Sequence, residues 1–131
     1  MKQLFIFSLS IIIALGSCKT EKVETPQLTQ EQESELLQKQ YENIVSISES
    51  EDCLNSNDWL FTAIGNKACG GPTGFIAYSQ NIDTVNFLNL VEDYTLAQKD
   101  YNQKWGIMSD CSVPPSPSSV KCENGFPVLI Y

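Results

Sequence analysis

The stretch DTVNFLNLVEDYTLAQKDYNQKWG, residues 83–106, decides the fold. Phe87, Val91, Tyr94, Gln98, Tyr101 and Trp105 recur at i, i+4, i+7, i+11, i+14 and i+18, with Leu88, Leu90 and Ala97 beside them. That period places one continuous stripe on a helix. Asp83 is a natural N-cap, and Gly106 suits the residue just past a helix end. Glu92, Lys99, Asp100, Gln103 and Lys104 fall on the other face. An amphipathic helix of this length needs a second layer to cover its stripe, and the flanking segments supply it.

Just upstream, Trp59-Leu60-Phe61-Thr62-Ala63-Ile64 is aromatic and branched, and ends at Gly65. Phe75-Ile76-Ala77-Tyr78-Ser79 has the same character. Both read as strands. Trp59, Phe61 and Ala63 share one face of the first, and Leu60, Thr62 and Ile64 the other. Between them lies Cys69-Gly70-Gly71-Pro72-Thr73-Gly74. Its glycines permit positive φ and Pro72 then fixes the chain, so the reading is a disulfide-pinned turn. It is neither a dinucleotide fingerprint nor a phosphate loop, because no Gly-Lys-Ser/Thr follows. An anion nest of backbone amides is the functional alternative there.

Downstream, Val113-Pro114-Pro115-Ser116-Pro117-Ser118-Ser119 reads as a stiff, exposed connection. A polyproline II ligand for a partner is the alternative. Val120–Glu123 and Phe126–Tyr131 flank Asn124-Gly125, the strongest short hairpin signal. Upstream of the strands, residues 29–47 read as a further helix. Thr29 and Gln32 have capping-box spacing, and Glu31, Glu33 and Glu35 favour the positive end of the dipole. Leu37, Tyr41, Ile44 and Ser48 give its stripe. The acidic segment 48–58 lacks the glycine of a calcium loop and reads as solvated. The order helix, strand, strand, helix, hairpin predicts an α+β domain: a small antiparallel sheet packed on one long helix, preceded by an N-terminal helix and stabilised by two disulfides.

Residues 1–18 have a different logic. Lys2 is followed by a nearly unbroken apolar run from Leu4 to Leu15, then Gly16-Ser17-Cys18. The run is too short for a span, which takes roughly 20 apolar residues, and reads as a signal peptide. Leu15-Gly16-Ser17-Cys18 closely resembles the lipobox of bacterial lipoproteins. The resemblance implies cleavage before Cys18 and acylation of its thiol, hence a membrane anchor of several chains. Lys19, where a retention signal would place Asp, points to the outer membrane of a Gram-negative cell. The expected organisation is signal 1–17, acylated Cys18 with a polar tether to residue 27, and one domain over 28–131.

Cysteine arithmetic supports this. Of five cysteines, acylation of Cys18 leaves Cys53, Cys69, Cys111 and Cys122. Export to an oxidising compartment predicts two disulfides. Of three possible pairings, Cys53–Cys69 and Cys111–Cys122 close the shortest loops and are expected. A zinc site is the weaker reading, since no close C-x₂₋₄-C pair exists.

The span from Cys53 to Tyr131 carries Ala68-Cys69-Gly70-Gly71-Pro72, Phe75-Ile76-Ala77-Tyr78-Ser79, Ser109-Asp110-Cys111, a proline-rich stretch, and Val120-Lys121-Cys122 before Asn124-Gly125. It resembles a family of small envelope lipoproteins to which no activity is assigned. That resemblance implies a fold and no function.

Function is bounded more than stated. The net charge of −8 argues against nucleic acid as a partner. The chain has no histidine, so the commonest general base and metal ligand is missing. No cofactor is implied, and the expectation is a non-enzyme. The leading expectation is a non-catalytic envelope lipoprotein that binds a protein partner or serves an envelope complex, with Gly70, Gly71, Pro72, Pro114 and Pro115 in its candidate interaction loops. An inhibitor of a protease or lysozyme is the alternative, because preorganised loops lower the ordering cost and acidity complements a basic enzyme. A small-ligand binder using Trp59, Tyr78, Tyr94 and Trp105 is a third class, although those rings read first as core.

Overall fold

The computed structural model describes residues 27–131. The lipobox, Cys18, the signal segment 1–17 and the tether as far as residue 26 lie outside the described residues.

Helix α1 spans Gln30–Ser48 and helix α2 spans Thr84–Trp105. Each starts where its cap residue dictates. The Thr29 hydroxyl accepts the Gln32 N–H while the Gln32 side chain accepts the Thr29 N–H, completing the capping box. The Asp83 carboxylate accepts the Asn86 N–H at 3.0 Å. α2 ends because Gly106 turns left-handed at φ +59°, a conformation glycine adopts without steric cost.

Strand β1 (Trp59–Ile64) pairs antiparallel with β2 (Gly74–Ser79), and β3 (Ser119–Glu123) pairs with β4 (Phe126–Ile130). The second turn places Asn124 and Gly125 at positive φ, as a two-residue hairpin of this hand requires. The strands form two separate two-stranded sheets rather than one. The reason lies in the faces. Register opposes Phe61 to Ala77 and Thr62 to Ile76, so β1–β2 has two apolar sides.

One side of β1–β2 carries Ile64, Ile76 and Tyr78 and meets Ile44 of α1 and Phe87, Val91 and Tyr94 of α2. Ile44 and Phe87 are fully buried at its centre. Burial also pushes the Tyr94 hydroxyl above its ordinary pKa, with the neighbouring Tyr41 adding to the rise. The other side carries Trp59, Phe61 and Ala77 and meets Val120, Cys122 and Leu129 of the second hairpin. The domain is therefore three layers, with β1–β2 in the middle. Its class is the small α+β fold with two disulfides.

The disulfides correct the expected pairing. They are Cys53–Cys122 and Cys69–Cys111, not Cys53–Cys69 and Cys111–Cys122. Short loops are favoured only when nothing else sets which thiols meet. Here the stacking of the second hairpin on β1 carries Cys122 to Cys53, and the Cys53 N–H donates to the Gly125 carbonyl at 2.8 Å. The Cys122 N–H donates outward to Ser56 Oγ at 3.0 Å. Cys122 thus opposes Pro127 in a pair that exchanges no ladder bonds, and the missing proline N–H costs β4 nothing.

Candidate functional site

The loop after β1 and the loop after α2 are where the sequence concentrates its glycines, prolines and outer cysteines. The structure joins them. Cys69–Cys111 spans 42 residues of chain and both half-cystines are exposed. Around the bridge, Lys67 Nζ contacts Asp110 Oδ1 at 2.9 Å and donates to the Ser112 carbonyl at 2.6 Å and to Ser112 Oγ at 3.0 Å. Ser112 Oγ in turn donates to Asp110 Oδ2. The Ala68 N–H donates to Ser109 Oγ at 3.1 Å. The Ser112 hydroxyl and then the Lys67 ammonium hold the Asp110 carboxyl below its ordinary pKa.

The base of the first loop is clasped by α2. The Gly65 N–H donates to Thr95 Oγ1 at 3.1 Å, and the Asn66 N–H to Gln98 Oε1 at 2.6 Å. Asn102 Nδ2 donates to the Asn66 carbonyl at 2.7 Å. Thr95, Gln98 and Asn102 lie at i, i+3 and i+7, one row of the helix. Gly65 sits at φ +77°, and an added Cβ would stand 2.1 Å from Thr73 Oγ1 and 2.7 Å from Gln98 Oε1. Only glycine fits that approach.

The candidate residues divide. Gly70 and Gly71 are exposed at positive φ, Pro72 and Pro114 are half-buried, and Pro115 is exposed. Within the loop, the Gly70 N–H donates to the Lys67 carbonyl and the Lys67 N–H to the Gly71 carbonyl, so the turn closes on itself. Pro117 is buried, and the Ser118 N–H donates to the Ile130 carbonyl at 2.6 Å, which ties down the far end of the proline segment. Two apolar side chains stand out on either side of Cys111: Met108 at 92 % exposure and Val113 at 84 %. Sequence reading missed them, and it missed Lys67, Asp110 and the Thr95–Gln98–Asn102 row. The row was readable as polar interruptions at helical spacing. Lys67 and Asp110 are 43 positions apart, and nothing local pairs them.

Of the four aromatic residues named as ligand candidates, Trp59, Tyr78 and Tyr94 are buried in the two apolar clusters. Trp105 is half-buried and its Nε1–H donates to Glu33 Oε2 at 2.7 Å. Glu33 also pairs with Lys104, and these two partners, Lys104 first, hold its carboxyl below the ordinary value. Among the described residues, no group of three cysteine, aspartate or glutamate side chains is placed to hold a metal ion. No described helix is long and apolar enough to cross a membrane. No protein-family model matches the chain, and no curated protein or solved structure matches it.

Proposed function

We propose that this protein is a non-catalytic lipoprotein of the bacterial envelope. In this reading Cys18 is acylated and anchors it in the outer membrane of a Gram-negative cell. Its domain presents the loop pair joined by Cys69–Cys111 to a protein partner. One observation carries the reading. Two apolar side chains, Met108 and Val113, project almost fully into solvent from loops that a disulfide and the Lys67 contacts hold in place. Exposed apolar groups on a rigid support bind at low ordering cost, and methionine is enriched at the cores of interfaces.

The test is gentle purification of the acylated protein from native membranes, with mass spectrometry of what accompanies it. Met108→Asp and Val113→Asp are carried in parallel. A stoichiometric companion that both variants lose, at unchanged thermal stability, supports the reading. A companion retained by both variants removes the loop pair from it. Cys18→Ala tests the anchor: the protein then becomes soluble or stays unprocessed. A fully processed, membrane-bound Cys18→Ala protein contradicts acylation.

The same preorganised loops favour a second reading, an inhibitor of a basic hydrolase. A panel of proteases and lysozymes separates the two. Inhibition lost in Val113→Asp selects the inhibitor, and a flat panel ends that reading.

A further inference from the structure

A groove of about 270 Å³ runs between the C-terminal half of α1 and the outer strand of the second hairpin. None of the loop residues above contributes to it. Its floor is the free edge of β2. The Gln80 N–H donates to the Asp58 carbonyl at 2.7 Å, continuing the ladder beyond Trp59 and Ser79. That bond sets the alternation: Tyr78, Ile76 and Gly74 turn their backbone groups to β1, and Ala77 and Phe75 turn theirs away from it. The outward N–H and C=O of Ala77 and Phe75 find no partner among the described residues. Ala77 is 8 % exposed and lines the groove, so its outward groups are reached through the groove.

The walls are apolar. Tyr41 and Val45 line one side and Phe126, Pro127 and Leu129 the other. Phe126 is 65 % exposed at the rim. Glu49 lines the groove, and Glu42 stands one further on the same face of α1, beside Tyr41 and Val45. Neither carboxylate belongs to any of the three ion pairs among the described residues.

We infer that this groove takes an extended peptide of a partner protein, which adds as a third strand to the edge of β2. The peptide's backbone satisfies Phe75 and Ala77, its alternate apolar side chains lie between α1 and β4, and flanking basic residues meet Glu42 and Glu49. Strand addition to a sheet edge gains affinity from main-chain bonds and specificity from alternate side-chain pockets. Charge complementarity selects the basic flanks, since the chain is acidic overall and neither rim carboxylate has a cationic partner, Glu42 accepting only from the neutral Gln38 amide. At the opposite edge of the same sheet, the Gly65 N–H just past β1 donates to Thr95 Oγ1 of α2.

The test uses the full chain as cells produce it and a labelled peptide, Lys-Ile-Thr-Val-Thr-Ile-Lys. Hydrogen exchange is followed by mass spectrometry, and affinity by fluorescence anisotropy. The expected result is slowed exchange across residues 74–79. The double variant Glu42→Gln/Glu49→Gln should weaken binding about fivefold, as two exposed ion pairs allow. A peptide N-methylated at two adjacent central residues, so that one faces the edge in either register, should not protect the strand. Val45→Arg should also block binding by filling the groove, and the charge variants stand if that one fails to fold. Three outcomes overturn the inference: no protection of residues 74–79 at millimolar peptide, protection that survives N-methylation, or protection that appears without peptide and vanishes on dilution. The last would make a second copy of this chain the occupant.

Discussion

The two disulfides close loops of similar length and do different things. Cys53–Cys122 spans 69 residues and Cys69–Cys111 spans 42. In the chain-entropy account these differ little, at about 4.4 and about 4.0 kcal/mol. Their surroundings differ greatly. Cys53 is 2 % exposed and packs with Trp59, Ala77 and Val120 between two sheets. Cys69 and Cys111 are exposed and join two surface loops. One bridge belongs to the core. The other fixes a surface. A crosslink costs the unfolded chain the same freedom wherever it lies, but only a buried one also fills space that its loss would empty.

Removing the pair Cys53→Ala/Cys122→Ala should produce the largest effect. The loss is about 5 kcal/mol, the loop term plus a small cavity. Global unfolding by denaturant measures it, and a loss no greater than that of the outer bridge would erase the distinction. Gly65→Ala comes next, at about 2–3 kcal/mol, because positive φ and a close approach to Thr73 both oppose a Cβ. It tests whether the outer loops depend on their clasp by α2 as well as on their bridge. Cys69→Ala/Cys111→Ala should cost about 2 kcal/mol, less than its loop length suggests, because the freed native loops regain part of the entropy. Exchange should quicken more at Ala68 than at Val91, which follows only the global loss.

Mild dithiol treatment sharpens the same contrast without mutation. Alkylation after brief reduction should label Cys69 and Cys111 while Cys53 and Cys122 stay protected, since access of the attacking thiolate governs the rate. Equal labelling of all four would show that the buried bridge opens as readily as the exposed one. The smallest effect is electrostatic. Ser112 and Lys67 lower the Asp110 pKa. A lowered carboxylate contributes its full stabilisation above the ordinary aspartate range and loses it as pH falls through the lowered value. The contact between the loops should therefore loosen only in acid, read as faster exchange at Ala68. Asp110→Asn should abolish that pH dependence with little change in global stability.

Much of the fold was legible because its signals are local. Thr29 with Gln32, Asp83, Gly106 and Asn124-Gly125 set element ends through contacts within a few residues. The alternation of Trp59, Phe61 and Ala63 against Leu60, Thr62 and Ile64 announced a strand with two faces. It did not say that both faces would be covered by different layers. The loop pair was half legible. Gly70, Gly71, Pro72 and the proline segment stand out by composition. Met108 and Val113 do not, because an apolar residue in a sequence does not declare that it will be left outside.

The helices, the strands, the hairpin turn and an acidic domain with four cysteines to pair are all readable along the chain. Which cysteines meet, the division of the strands into two stacked ribbons, and the open edge of β2 beside α1 arise only when the elements pack. The physical reason is range. Caps, turns and hydrophobic period act over a few residues and are written in order along the chain. The meeting of Cys53 with Cys122, or of Lys67 with Asp110, depends on how whole faces bury one another, and burial sums contributions from segments that the sequence keeps far apart.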